Sequence, residues 1–251
     1  PLADVRRRPD SIYRDLGHLL GRMHRILEQV PEDLGTRELD WDLRRARIAV
    51  ERHRRLISDP QRGAVIDRFR AWWERWEIDF APALPLALIH NDANDHNVLV
   101  EWGDGPTPAD RAPRISGLID FGDMVRSWRV GELAVAGAYL ILGRPDPLPI
   151  LEGLVRSYHR AAPLEETEVA ALFPLLRLRL ALSVSMSALQ GGMRPDDPYV
   201  RISEAPAWEA LALTEGIHFG VAEAHLRRAV GLEPSRRGAR VRRWLAGSAP
   251  E

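Results

Sequence analysis

His90-Asn91-Asp92-Ala93-Asn94-Asp95-His96-Asn97 contains all three asparagines of the chain, two of its eight histidines and two aspartates. Within it lies H-x-D-x-x-x-x-N, formed by His90, Asp92 and Asn97. Asp120-Phe121-Gly122 follows 23 residues after Asn97. The residues between them read as two β-type runs, Asn97–Trp102 and Ile115–Phe121, joined by a Gly/Pro/Asp-rich loop. That pattern predicts an antiparallel hairpin. Asn97 opens the first strand and Asp120 closes the second, so both fall at the same end of the ladder.

Working outward, the chain is helical on both sides of this segment. Ile12, Leu16, Leu19, Leu20, Met23, Ile26 and Leu27 recur at helical spacing after the start signal Pro9-Asp10-Ser11. Helices are predicted over roughly 40–58 and 61–79, with Trp41, Trp72, Trp73 and Trp76 as core residues. His18, His24 and His53 lie among arginines and read as surface or interface positions. Leu86–Ile89 is a short apolar run. Further helices are predicted over about 130–143, 147–161, 166–190 and 206–230, with Gly191–Pro198 as a loop.

Composition removes several classes of function. The 251 residues carry 35 basic and 36 acidic side chains. This balance leaves no electrostatic footprint for nucleic acid or an anionic membrane. With no cysteine, disulfides and thiol chemistry are excluded. The apolar runs are too short for a membrane span and the N-terminus has no signal-peptide core, so a cytoplasmic location is expected. Every basic residue is arginine, and neither G-x-G-x-x-G nor G-x-x-x-x-G-K-[ST] occurs. A complete nucleotide-phosphate site therefore does not reside in these residues.

The residue types suit phosphoryl transfer. That chemistry needs a carboxylate to orient and deprotonate an attacking hydroxyl, and oxygen ligands for Mg²⁺ on the nucleotide phosphates. Asp92 fits the first role, and Asn97 with Asp120 fits the second. A metal-dependent hydrolase using His90, Asp92, Asp95 and His96 is the rival enzyme reading. A catalytically inactive pseudokinase or interaction module is the non-enzymatic one.

On His90–Asn97 and Leu118–Asp123, the sequence resembles the aminoglycoside phosphotransferase/choline kinase family. Ser183–Gln190 and Ile202–Glu209 are similar to its hydroxylysine-kinase-like branch, which in bacteria is often fused to a class III aminotransferase. The resemblance covers roughly residues 80–230; the first 80 match only as generic helices. It implies a predominantly helical α+β fold, a protein-kinase-like C-terminal lobe whose small antiparallel hairpin carries the active site. The site roles are carried over from this resemblance: Asp92 catalytic, Asn97 and Asp120 metal ligands, His90, Gly122 and Asp123 supporting the loops. Asp123 caps a turn or touches the acceptor. Asn91 departs from the glycine usual in the family.

The expected boundaries are 1–233 for the lobe, divided into 1–80, 81–129 and 130–233, and 234–251 for a linker to a further domain. The N-terminal lobe, with its glycine-rich region and lysine, is expected outside this chain, leaving this fragment alone inactive. Glu132 is expected to hold the metal loop. The implied co-substrates are ATP or GTP, Mg²⁺ and a small acceptor alcohol. Asp95, Asp196, Asp197 and Glu209 are the candidate acceptor-binding residues, and their negative charge favours an amine-bearing acceptor over a neutral sugar.

Overall fold

A computed structural model describes residues 1–107, 110–193, 204–235 and 237–238. Its first helix, α1 (Asp10–Leu27), buries Ile12, Leu16 and Leu20, the stripe expected from their spacing. It lies along α5 (Leu148–Ala161). The approach is close: a Cβ on Gly17 would stand 2.1 Å from the Leu154 carbonyl oxygen. Glycine is required there because any side chain would push the two backbones apart.

The predicted helix at 40–58 is shorter, running as α2 (Ala46–His53) into a 3₁₀ turn, Arg54–Leu56. Its first residues are withheld from the helix by Asp42, whose carboxylate accepts from the Arg44 amide at 3.0 Å and from the Ser127 hydroxyl. In α3 (Pro60–Phe80), Pro60 follows the cap Asp59, whose Oδ1 accepts from the Gln61 and Arg62 amides at 2.8 and 2.9 Å. Such a cap contributes about 1 kcal/mol. Trp73 and Trp76 are buried and Trp72 stacks on Phe219, confirming the tryptophans as packing residues. His24 and His53, expected at surface or interface positions, are buried within the fold. The ring of His24 lies 6.3 Å from that of Tyr158 on α5.

Two antiparallel two-stranded sheets carry the loops of interest. β1 (Leu86–Ile89) pairs with β4 (Val125–Trp128), and β2 (Val98–Trp102) pairs with β3 (Pro113–Leu118). The second is the predicted hairpin, with Val98 opposite Leu118 and a register shift at Leu99/Val100; β3 stops short of the expected Phe121, so Asp120 follows the strand in a left-handed turn instead of closing it. Sequence reading did not anticipate β4, which fastens the chain after the Asp120 loop to the strand leading into His90.

The remaining helices are α4 (Gly131–Leu140), α6 (Glu166–Met193), α7 (Glu204–Glu215) and α8 (Phe219–Ala229). The stretch predicted as one helix over 206–230 breaks at Gly216-Ile217-His218, where the His218 ring accepts from the Gly220 amide at 3.1 Å and starts α8. Gly191 to Met193 continue α6 instead of forming a loop. Long and apolar enough by composition to cross a membrane, α6 has 94% of its apolar window buried within the fold. It contacts α2, α4, α7 and α8 and forms the axis of the core. Two of its arginines are buried, Arg177 and Arg179. The Arg177 guanidinium sits 5.1 Å from the Phe69 ring centroid and 5.3 Å from that of Phe219.

Candidate active site

The chain from β1 enters His90, whose backbone N–H donates to Glu132 Oε2 at 2.5 Å. Glu132 is fully buried at the start of α4, and desolvation pushes its carboxyl up to about 7. The His90 ring shares a hydrogen bond with the Ile119 carbonyl at 3.0 Å, and its Nδ1 accepts from the Asp92 amide at 3.3 Å. Burial holds this imidazole below its ordinary pKa, so it spans the two loops as a neutral ring. The Phe121 ring packs edge-on against it at 4.7 Å.

Asn91 adopts φ 67°, in the left-handed region, and Asp120 has φ 64°. These are the two non-glycine residues at positive φ among the described residues. Asparagine and aspartate tolerate this region better than other side chains, and a glycine at position 91 would adopt it freely. The Asn91 side-chain amide is buried, and both of its polar atoms lack a hydrogen-bond partner among the described residues.

Asp92 is half-buried. Its Oδ2 accepts from Asn94 Nδ2 at 3.0 Å and from Asn97 Nδ2 at 2.8 Å. Its Oδ1 faces Arg179 Nη2 at 3.5 Å. Burial raises the Asp92 pKa, while the Arg179 charge and the Asn94 hydrogen bond act against the rise. Asn97 Nδ2 also donates to the Asp92 carbonyl at 3.0 Å. Its amide nitrogen is thus committed to Asp92, and its Oδ1 carries no hydrogen bond among the described residues.

The Ile119 amide donates to the Asn97 carbonyl at 3.0 Å, extending the hairpin by one rung and bringing Asn97 beside the residue before Asp120. Asp120 is exposed; its Oδ1 accepts from the Gly122 amide at 3.2 Å and its Oδ2 has no partner among the described residues. The Asn97 amide oxygen and the Asp120 carboxylate, at the same end of the hairpin, are hard oxygen donors of the kind that divalent cations such as Mg²⁺ take. The Gly122 carbonyl accepts from Arg37, which also donates to the Met124 carbonyl at 2.9 Å. Asp123 closes the short 3₁₀ turn Phe121–Asp123.

The other candidates separate. Asp95 Oδ2 pairs with Arg8 at 2.8 Å, and its carbonyl accepts from the Ala3 amide, tying the N-terminal segment to this loop. Glu209 lines a hollow of about 350 Å³ with Ile141, Arg144 and Leu213, a hollow that none of the other described candidate residues lines. Asp196 and Asp197 lie outside the described residues. Among the described residues no three histidines or carboxylates converge as a metal-binding group, so His90, Asp92, Asp95 and His96 do not assemble the hydrolase centre. Sequence reading missed Arg179 and Arg37; two arginines within an otherwise apolar helix were the available signal for the first.

The pattern of the phosphotransferase enzyme family matches residues 2–172. The chain belongs to that family. The match begins at residue 2, so the helices before residue 80 are part of the family domain and not merely generic. The chain is similar to the hydroxylysine kinases of Xenopus laevis, at 24% identity over 217 residues, and of Danio rerio, at 28% over 204. These alignments cover 84% and 78% of this chain, but 58% and 54% of the relatives. The chain thus spans just over half the length of these curated relatives.

Among solved structures it is similar to a microcompartment-associated aminopropanol kinase, with TM-score 0.56 and 20% identity over 91% of this chain and 66% of the other. An amicoumacin kinase, solved with AMP-PNP, Ca²⁺ and its ligand, gives TM-score 0.50 and 13% identity over 84% and 60%. These likenesses show a kinase-like α+β fold.

Proposed function

We propose that this phosphotransferase-family chain is the acceptor-side lobe of a small-molecule kinase that moves the γ-phosphate of ATP or GTP to an alcohol. The observation that carries this is the Asp92–Asn97–Asp120 arrangement: a held carboxylate beside two uncommitted oxygen donors at one end of a hairpin. Asp92 receives the proton of the acceptor hydroxyl through Oδ1, because both amides hold Oδ2. Asn97 Oδ1 and the Asp120 carboxylate would hold Mg²⁺, which neutralises charge on the transferring phosphate when bound. His90 and Glu132 keep the Asp92 loop fixed relative to the Asp120 loop.

The phosphates also need a basic grip. These residues contain no lysine and no glycine-rich phosphate loop. We assign that grip to an N-terminal lobe outside the 251 residues, in agreement with the share of each relative that the chain spans. The acceptor is an amine-bearing alcohol of the hydroxylysine type. The support is the similarity to hydroxylysine kinases, since Asp95 is already paired with Arg8 and Glu209 sits in a separate hollow.

The test is a screen of the full-length polypeptide with Mg²⁺ and each nucleotide against hydroxylysine, ethanolamine, choline, homoserine, aminoglycosides and neutral sugars. Phosphorylation of an amine-bearing alcohol is expected. Preference for an uncharged sugar overturns the acceptor class, and nucleotide binding without turnover on any acceptor favours a pseudokinase.

A further inference from the structure

We propose that Arg179 is a positioning residue that fixes the rotation of the Asp92 carboxylate from the side opposite Asn97. This rests on the reading of Asp92 as the proton acceptor. Arg179 is 2% exposed, at mid-length in α6. Its guanidinium lies over the Trp41 ring at 4.6 Å and near the Tyr139 ring at 5.5 Å. Nη1 donates to the Trp41 carbonyl at 3.3 Å, and Nη2 faces both the Tyr139 hydroxyl at 3.3 Å and Asp92 Oδ1 at 3.5 Å. Nε has no partner.

Burying a guanidinium costs several kcal/mol unless a carboxylate compensates it. Among the described residues, Asp92 is the one carboxylate within ion-pair distance of Arg179. The ring contacts and the Trp41 carbonyl set where the cation sits, so it acts as a fixed reference for Asp92. The two carboxylate oxygens are held differently. Oδ2 takes two short amide hydrogen bonds, whereas Oδ1 meets a cation at a length too great to consume its lone pairs. Asn94 and Asn97 both anchor the same oxygen, Oδ2, and by themselves leave the carboxylate free to turn about it. The arginine removes that freedom and leaves Oδ1 available to a hydroxyl. Misplacement by about 1 Å at a reacting group is enough to cost on the order of 100-fold in rate.

A purely architectural role, joining α6 to the turn at Trp41, makes different predictions. The experiment compares Arg179→Met, Arg179→Lys, Asp92→Asn and the Arg179→Met/Asp92→Asn double variant in the full-length polypeptide, with ATP, Mg²⁺ and hydroxylysine. For Arg179→Met, kcat should fall about 10- to 100-fold, with nucleotide Kd and binding stoichiometry unchanged by calorimetry. Arg179→Lys should recover part of that loss. The double variant should be no slower than Asp92→Asn alone, because the arginine acts through that carboxylate.

A folded Arg179→Met variant with wild-type kcat overturns the proposal, as does a full additional loss in the double variant. Should the methionine variant not fold, Arg179→Lys carries the test, and wild-type kcat there overturns it. Full activity in Asp92→Asn instead removes the proton-acceptor assignment, and the role of Arg179 falls with it.

Discussion

The side-chain amide of Asn97 donates to Asp92 twice, to the backbone carbonyl at 3.0 Å and to Oδ2 at 2.8 Å. One residue therefore faces the proposed proton acceptor with its nitrogen and the proposed metal position with its oxygen. A planar amide cannot satisfy one neighbour in a different orientation without disturbing the other. The spacing of four residues between Asp92 and Asn97 is the length of the turn that lets the chain fold back on itself, aided by Asn94 Oδ1 accepting from the His96 and Asn97 amides.

Asp92→Asn in the full-length polypeptide should lower kcat by a few orders of magnitude with nucleotide affinity nearly intact. The amide retains the shape but accepts no proton at Oδ1. Steady-state kinetics with calorimetric nucleotide binding checks this, and retention of more than about a tenth of the activity contradicts it.

Asn97→Ala and Asp120→Ala should differ in a way that magnesium titration exposes. Asp120→Ala removes the charge at the proposed metal position and should abolish metal-dependent nucleotide binding. Asn97→Ala should raise the magnesium requirement, yet saturating magnesium should not restore kcat, because Asp92 has also lost the two hydrogen bonds that Asn97 donates to its carbonyl and Oδ2. Full recovery at high magnesium would show that Asn97 serves the metal alone.

Glu132 should impose a pH dependence on stability. Its carboxyl is raised to about 7 in the fold, so between its ordinary value and that point the folded state holds a proton that the unfolded chain releases. Stability from this group is full below about pH 4.5, falls as pH rises through about 7, and is level above. The total is on the order of 2–4 kcal/mol. The depressed His90 acts oppositely, losing stability as pH falls below about 6.5. Comparing urea midpoints of wild type and Glu132→Gln from pH 4.5 to 8 isolates the glutamate, and parallel curves would refute the assignment.

Asn91 should accept glycine and reject valine. Glycine relieves the positive φ and removes two unpartnered buried atoms, so Asn91→Gly should stay within about 1 kcal/mol of the parent in stability. A β-branched residue at φ 67° should cost roughly 2 kcal/mol or more. Equal unfolding midpoints for the two variants would contradict this.

The hairpin was legible because its start is marked by the asparagines, which occur in this chain only at 91–97, and its finish by the single D-F-G string, at 120–122. Its sides are β-type runs broken by an obvious loop. Helix periodicity exposed α1, α3 and α5 for the same reason: one apolar stripe is enough to show the period. β4 was hidden because four residues including Arg126 and Ser127 carry no alternation, and only pairing with β1 makes them a strand. The burial of His24 depends on α5, more than 120 positions away, so neighbouring arginines misled the reading. The Arg8–Asp95 and Arg179–Asp92 pairs each join residues 87 positions apart, a relationship no local pattern encodes.

Arg177 and Arg179 stand two positions apart on α6, about 200° around a helix of 3.6 residues per turn. One cation is wedged between Phe69 and Phe219, where burial draws its pKa down to about 10, and the other is braced against Trp41 and Asp92. Like two keys cut on opposite sides of one shaft, they prevent α6 from turning in its seat. Any slackening of the aromatic bearing around Phe69 would reach Asp92 as a twist of the shaft. Wear in that bearing would therefore be felt at the carboxylate proposed to take the proton.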